Sequence, residues 1–467
     1  MDRLSPLDAE FLHLEDDVSH LHIAGLSVFE GPAPEPDDLA ELVRAKLHLI
    51  PRYRQRVRSV PLELGRPIWV DDTEFDLADH IGEVPLPAPA DDAALSTLMA
   101  ELMSRPLDRG RPLWETHLVR GLPDERWALI FKVHHAMVDG ISGVGLLTVL
   151  LDLERDVALP EPVPWEPEPE PSPVARVVDA WSGLAGDALH LAGQVPRAIV
   201  RDPLGAVRSV TEKGEGLVGL GRHLGTTPPL SIEGPIGPDR NWAHSTASLV
   251  EVKAIGKAVG GTVNDVVLAA VSGGYRALLV SRGEDPDDAV VTTLVPVSVR
   301  GTGGEGVPDN RVSAILFELP VHVADPLERV RRVCADMAEL KESHMADAGE
   351  AMATLGSLAP PMVVGTVSRL ATRLMHRLPQ RSVNTVTTNV PGPQFPLYCL
   401  GREMLEYRPF VPISHGVRVG TAILSYNGHL SFGVTGDRET APDVDVLADA
   451  IAAGVDELGA AARDLRP

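Results

Sequence analysis

Cysteine is nearly absent from the 467-residue chain, where Cys334 and Cys399 are the only two. Far apart and outside any CxxC or Cys/His spacing, they exclude a disulfide framework and a structural zinc site, and they fit a reducing cytoplasm. Basic residues are in deficit as well, 42 Lys plus Arg against 66 Asp plus Glu, a net charge of −24. That balance argues against a protein that coats nucleic acid, and a polyanionic ligand would need a local basic pocket. No run of eighteen apolar residues appears, which removes a conventional transmembrane helix. The opening MDRLSPLDAEFLHLEDD turns acidic where a signal peptide needs an apolar stretch. Peripheral membrane contact of a cytoplasmic chain is therefore the expectation. The GxSxG elbow of serine hydrolases is missing too, and no repeat of fixed period is visible.

What is present is ordinary for a folded chain: 44% hydrophobic and 23% charged residues, and length enough for two or three domains. The sharpest break in composition is Leu159 to Pro173, LPEPVPWEPEPEPSP, where alternating Pro and Glu deny the backbone both helix continuity and ladder donors. It reads as an extended, solvated linker. The expected division is residues 1–158 as an N-terminal domain, 159–234 as linker and crossover helices, and 235–467 as a C-terminal domain. Apolar spacing predicts helices over Leu39 to Leu49, Ala93 to Met103, Ile141 to Leu153, His244 to Val259, Thr262 to Val280, Asp325 to Ser343 and Val444 to Asp464. Thr116 to Gly121 and Arg126 to Val133 flank a turn rich in Pro and Asp, which predicts a hairpin. Val290 to Arg300, Arg311 to Pro320, Ser382 to Asn389 and Gly416 to Thr435 read as strands, the last folded on Asn427-Gly428. Strands and helices mix without strict alternation, so the fold class expected is α+β.

The chemistry-bearing string is His134-His135-Ala136-Met137-Val138-Asp139-Gly140, at the end of the strand predicted for Arg126 to Val133. Along that strand Trp127, Leu129, Phe131 and Val133 share a face; a continued pleat adds His135 to it and turns His134 away. An imidazole on an apolar, partly desolvated face keeps a neutral, basic nitrogen near physiological pH, as a general base for an alcohol or thiol must. Asp139, before a glycine that can turn the chain, suits tying down the loop. Spacing alone leaves two other readings open: a satisfied histidine pair without function, and a metal site using His135 and Asp139. The metal site is the weaker, since no third ligand is near.

HHxxxDG is the signature of the coenzyme A-dependent acyltransferase superfamily. Further strings narrow the match: LSPLDAEFLHLE, HLHIAGLSVFEG, Pro112-Leu113-Trp114-Glu115, Asn264-Asp265 in TVNDVVLAAV, and Asn389-Val390-Pro391-Gly392-Pro393. Together they resemble the bacterial wax ester synthase/acyl-CoA:diacylglycerol acyltransferase family over nearly the whole chain. The resemblance implies a two-domain, chloramphenicol acetyltransferase-like fold with a tunnel between the halves. It also implies transfer of a long acyl chain from acyl-CoA, a co-substrate rather than a resident cofactor, to a diacylglycerol or fatty alcohol. Matched residue by residue, His135 takes the catalytic place, His134 that of its less critical neighbour, Asp139 that of the structural aspartate and Gly140 that of the turn glycine. Pro112, Leu113 and Trp114 match a segment that shapes a substrate pocket, and Asn264 and Asp265 a helix-start pair near the reaction centre.

On physical grounds, an Asn264 amide at a helix N-terminus adds a donor where backbone N–H groups already point outward, which suits an oxyanion. Simple capping by Thr262 or Asn264 is the competing account. Thr388 and Asn389, at a strand end, are further oxyanion candidates. Arg52, Arg54, Arg56 and Arg58 alternate, as a phosphate patch or a charged edge strand would. Pro361 to Pro379 has the spacing of a cationic amphipathic helix, with Arg369, Arg373 and Arg377 on one face, able to lie on an anionic bilayer or lipid-droplet surface or to pack on the core. The broken helical stretch of Ala175 to Arg208 is a second, weaker candidate for such a surface. No metal or nucleic acid is expected as a partner.

Overall fold

Two six-stranded mixed sheets carry the molecule, a computed structural model that describes residues 1–137, 149–182, 229–299, 311–342 and 383–463. The first sheet runs in the order Tyr398–Cys399, Arg402–Phe410, His22–Phe29, Trp127–His134, Trp114–Arg120, Ile81–Pro85. All its pairs are antiparallel except the last. The second runs Arg311–Leu319, Val291–Val299, Thr385–Pro391, Val419–Tyr426, His429–Asp437, Arg240–Ser248, with Thr385–Pro391 parallel to both its neighbours. A three-stranded sheet of Asp2–Arg3, Ile68–Asp71 and Gln55–Arg58 stands beside them. Strands and helices are mixed as the α+β expectation requires.

The expected boundary at residue 235 does not confine the sheets. Arg402–Phe410 leaves the C-terminal stretch to pair with His22–Phe29, and Leu424 and Tyr426 of the second sheet join the core that holds Phe29, Trp114, Trp127 and Met404. The two halves thus share one apolar layer, and burying it stabilises their relative placement.

Most elements follow their local signals. The hairpin Trp114–Arg120 and Trp127–His134 turns through Asp124 and Glu125, both at positive φ. Val419–Tyr426 and His429–Asp437 turn on Asn427 (φ 43°) and Gly428 (φ 88°), the pair of left-handed residues a type I′ turn needs. The helix expected from His244 instead begins at Leu249. Arg240–Ser248 is a strand, zipped over nine residues to His429–Asp437, and Ser248 is the N-cap, accepting from the Glu251 amide. The helix Val263–Ser281 is long and apolar enough to span a bilayer, yet Val266, Val267, Leu268 and Val271 are fully buried in the C-terminal core.

The Pro/Glu stretch has no regular structure, as expected, but it is fastened rather than free. Glu170 pairs with Arg56 and Arg58 at 3.1 Å, and the Arg54 guanidinium lies 4.4 Å over the ring of Trp165. Residues 173–182 are helical; the rest of the stretch to Arg208 falls outside the described residues, as do residues 141–148 of the helix expected over Ile141 to Leu153.

Candidate active site

The short helix Pro6–Leu14 begins where Ser5 accepts from the Asp8 amide at 3.1 Å with Pro6 in the first turn, and ends at Glu15. Its buried face, Ala9 and Leu12, packs with Leu4, Trp69, Leu113 and Ala136. This fixes Phe11 and Glu15 against the histidine pair.

The strand Trp127–His134 alternates as anticipated: Trp127, Leu129, Phe131 and Val133 enter one core, Ala128 and Ile130 another. The pleat stops at His134. His135 opens a 3-10 turn, its amide donating to the Leu21 carbonyl at 2.9 Å, while the His134 amide donates to Leu113 O at 2.9 Å. The His135 ring is therefore set by the turn and not by the pleat. It is half-buried, lies 4.1 Å from the Phe11 ring at 34°, and its Nδ1 has no hydrogen-bond partner among the described residues. Burial, with His134 beside it, pulls its pKa down to about 4, so the ring is neutral at physiological pH. A neutral imidazole can take up a proton.

His134 is held differently. Its Nδ1 accepts from the Ala136 amide at 3.0 Å, which places the ring proton on Nε2, and Nε2 lies 3.3 Å from Glu15 Oε2. Across the sheet His22 is the register partner of His134, and its Nε2 is 3.0 Å from Glu15 Oε1. Arg109 pairs with the same carboxylate from the surface side. Burial opposes the Glu15 charge, yet its contacts to His134 and His22 outweigh that and hold it far below the usual carboxylate range. Burial lowers His22 to about 4. Lys132, fully buried on the same strand, donates to the Leu102 and Arg105 carbonyls at the end of the helix Asp92–Ser104, a cation where the helix dipole favours one. The sequence reading assigned no role to Glu15, His22, Phe11 or Lys132. The signals were present: two histidines alternating along HLHIAG, and the string LSPLDAEFLHLE.

Pro112, Leu113 and Trp114 reach the site through the backbone. Leu113 and Trp114 are each 1% exposed, and the Trp114 indole donates to Tyr53 O at 2.9 Å and stacks on His80. The Leu113 and Trp114 side chains are packed into the cores, and the Leu113 carbonyl anchors the His134 amide.

On the C-terminal side, Asn389 Nδ2 donates to Asn264 Oδ1 at 3.2 Å, bringing two candidates together across a strand end and a helix start. Asn264 keeps its Nδ2 donor in the first turn of Val263–Ser281. Asp265 is the reciprocal half of a capping box: its carboxylate accepts from the Thr262 amide and hydroxyl, each at 2.8 Å, while its amide donates to Thr262 Oγ1 at 3.3 Å. The capping account thus holds for Thr262 and Asp265. Thr388 alternates away from Asn389; Thr385 and Thr387, on the Asn389 face, bond to Tyr275 and Thr293.

The alternating arginines are engaged. Arg52 lies 2.8 Å from Asp2 and over Trp69, Arg56 also pairs with Asp72 at 3.2 Å, and Glu170 closes over Arg56 and Arg58. Arg52 and Arg54 fall in the 3-10 turn Pro51–Arg54 and only Arg56 and Arg58 stand on the strand, where the ion pairs fit the charged-edge reading. Asp139, Gly140 and the stretch Pro361 to Pro379 lie outside the described residues.

Comparison with known proteins agrees with this picture. Residues 4–267 match the model of the wax ester synthase/diacylglycerol acyltransferase catalytic domain, and residues 309–459 that of the C-terminal domain of the same family. A probable diacylglycerol O-acyltransferase of Mycobacterium tuberculosis is 36% identical over 454 residues, 97% of this chain and 94% of the relative. Among solved structures, the wax ester synthase/diacylglycerol acyltransferase from Marinobacter aquaeolei VT8 aligns with a TM-score of 0.68 and 27% identity, covering 99% of this chain and 100% of that one. The first condensation domain of the CDA synthetase shares the fold, with a TM-score of 0.58 at 16% identity, covering 98% of this chain and 96% of that one.

Proposed function

The chain belongs to the wax ester synthase/diacylglycerol acyltransferase family, and from that premise we propose that it transfers a long-chain acyl group from acyl-CoA to diacylglycerol, forming triacylglycerol, with His135 as general base. The observation that carries the mechanism is the His135 ring itself: half-buried, neutral at physiological pH, and set in a turn beside the Glu15–His134 contact. His135 accepts the proton of the acceptor hydroxyl as that oxygen attacks the thioester carbon. The C–O bond forms, the carbonyl electrons move to oxygen, and their return expels the coenzyme A thiolate, which takes the proton back from His135. No acyl-enzyme is needed. Donors at Asn264 and Asn389 suit the oxyanion, and the Glu15–His134 contact orients the turn that presents His135; in sequence, Asp139 and Gly140 match the aspartate and glycine of the motif.

Because diacylglycerol is insoluble, the reaction belongs at a lipid surface, the inner face of the membrane or a lipid droplet. The test is transfer of radiolabelled palmitate from palmitoyl-CoA by the purified protein to a panel of acceptors. Labelled triacylglycerol is expected from diacylglycerol. Label only in wax ester moves the acceptor to a fatty alcohol, and no transfer to any hydroxyl defeats the proposal.

A further inference from the structure

Residues 15–21 join the helix Pro6–Leu14 to the strand His22–Phe29 without regular structure of their own, and they carry contacts that set the histidine turn. Leu21 is fixed at both backbone groups. Its amide donates to Glu15 Oε1 at 3.3 Å, and its carbonyl accepts from the His135 amide at 2.9 Å. The middle of the loop is held by the C-terminal half. Half-buried Val18 packs against Ile236, Ile413 and Val417, and Asp16 Oδ2 lies 3.3 Å from His415 Nε2. Alongside these contacts the Val18 carbonyl accepts from Nη2 of Arg240, the first residue of the strand Arg240–Ser248. Arg240 is 2% exposed, and its Nη1 donates to Gly237 O at 2.7 Å and Asp239 O at 3.2 Å, so one planar group holds carbonyls of both halves. Its amide also reaches across, donating to Ser104 Oγ at 2.8 Å.

We propose that Arg240 is a positioning residue for His135, holding the loop that anchors the histidine turn against the C-terminal half. The path is short: from the guanidinium to Val18, along the loop to Leu21, and through one hydrogen bond to the His135 amide. Burying a guanidinium against backbone carbonyls is costly, and an apolar side chain would fill the same space at less cost; what the planar fork adds is a fixed direction toward three acceptors at once. Arg240 acts through the backbone rather than on substrate. The inference rests on the acyltransferase reading, in which the base must keep its place relative to groups supplied by the other half.

The experiment compares Arg240→Gln, Arg240→Lys and His415→Ala with the wild type in initial rates and, without substrate, in amide hydrogen exchange on peptides covering residues 15–22 and 133–137. The Gln variant is expected to lower kcat about tenfold with KM within about twofold, and to speed exchange at Leu21 and His135 about tenfold. Lys, which keeps the charge but not the fork, should recover part of the loss in both readouts. His415→Ala loosens the same loop from its solvent side and should move both in the same direction by about threefold. Arg282→Gln is the control: Arg282 pairs with Asp443 at 2.9 Å within the C-terminal half, so its loss should lower the thermal midpoint and leave kcat and exchange at His135 unchanged. In Arg240→Gln, a wild-type kcat, unchanged exchange at His135, or an equal rise throughout the chain overturns the proposal. If that variant does not fold, Arg240→Lys and His415→Ala decide by the same two readouts. A wild-type protein that transfers no acyl group defeats the acyltransferase reading, while exchange at His135 still tests the tether.

Discussion

The two sets of candidate site residues are built from different chemistry. On the N-terminal side His135, His134, His22, Glu15 and Lys132 crowd a single strand pair and one helix end, every one a titratable group. On the C-terminal side the polar groups are uncharged: the Asn264–Asn389 amide pair, and behind it the buried hydroxyls of Tyr275, Thr385, Thr387 and Thr293. A proton acceptor needs a tuned environment, whereas an oxyanion needs fixed dipoles that do not titrate. Under the proposed mechanism, proton transfer falls to the first set and charge stabilisation to the second.

The largest expected effect removes the proton acceptor. His135→Ala should lower kcat by about 10²–10⁴-fold with the thermal midpoint near that of the wild type. Near-normal turnover would end the division at its source. Next comes the carboxylate that positions the turn. Glu15→Gln keeps an acceptor oxygen but not the charge, and kcat is expected to fall about tenfold with KM little changed. Glu15→Ala leaves His22, His134 and Arg109 without their common partner and should cost about 1–3 kcal/mol in stability. A Gln variant with wild-type kcat and the stability loss alone would make Glu15 a structural residue. On the other side, Asn264→Ala and Asn389→Ala should each lower kcat by about tenfold, and the double variant by much less than the product, because the two amides share a hydrogen bond. Full additivity would break the pairing.

The acid side of the pH profile sharpens the comparison further. His135 is held at about 4, below its ordinary 6.5, so the neutral form needed as base persists well under neutral pH. The acid limb of kcat/KM is expected near pH 4 rather than 6.5, as initial rates across pH 4–8 will show. Stability moves with it. His22 and His135 both sit near 4 when folded and near 6.5 when unfolded, so below 6.5 the unfolded chain binds protons that the folded chain does not. The thermal midpoint should therefore fall as pH drops from 6.5 to 4. Glu15→Gln should extend this window to lower pH, because the Glu15 carboxylate holds the His22 pKa up against burial.

Much of this was legible in local patterns. The element types followed from periodicity, and the hairpin on Asn427-Gly428 from turn chemistry, because those signals act over a few residues. The return of Arg402–Phe410 to the first sheet was not legible, since nothing in that segment marks a partner more than 370 residues away. Glu15 was missed for the same reason: as a residue in an acidic N-terminal stretch it looks solvated, and only the register that sets His22 opposite His134 makes it a shared acceptor. The arginines of Gln55–Arg58 show another limit: a charged edge was anticipated, but not its partner, because Glu170 lies in a segment read as free linker.

The smallest effect separates the two C-terminal candidates that stand side by side in sequence. Asp265 caps the helix start and Asn264 pairs with Asn389, although both lie in the first turn of Val263–Ser281. Thr262→Ala removes one arm of the capping box and touches neither amide of the Asn264–Asn389 pair. Loss of such a cap costs about 1 kcal/mol, read as a lower midpoint in urea, and kcat/KM should be unchanged once the protein is folded. If kcat fell while stability held, the helix start as a whole would belong to the reaction centre. The uncharged side would then include a carboxylate, and the contrast with the histidine side would no longer stand.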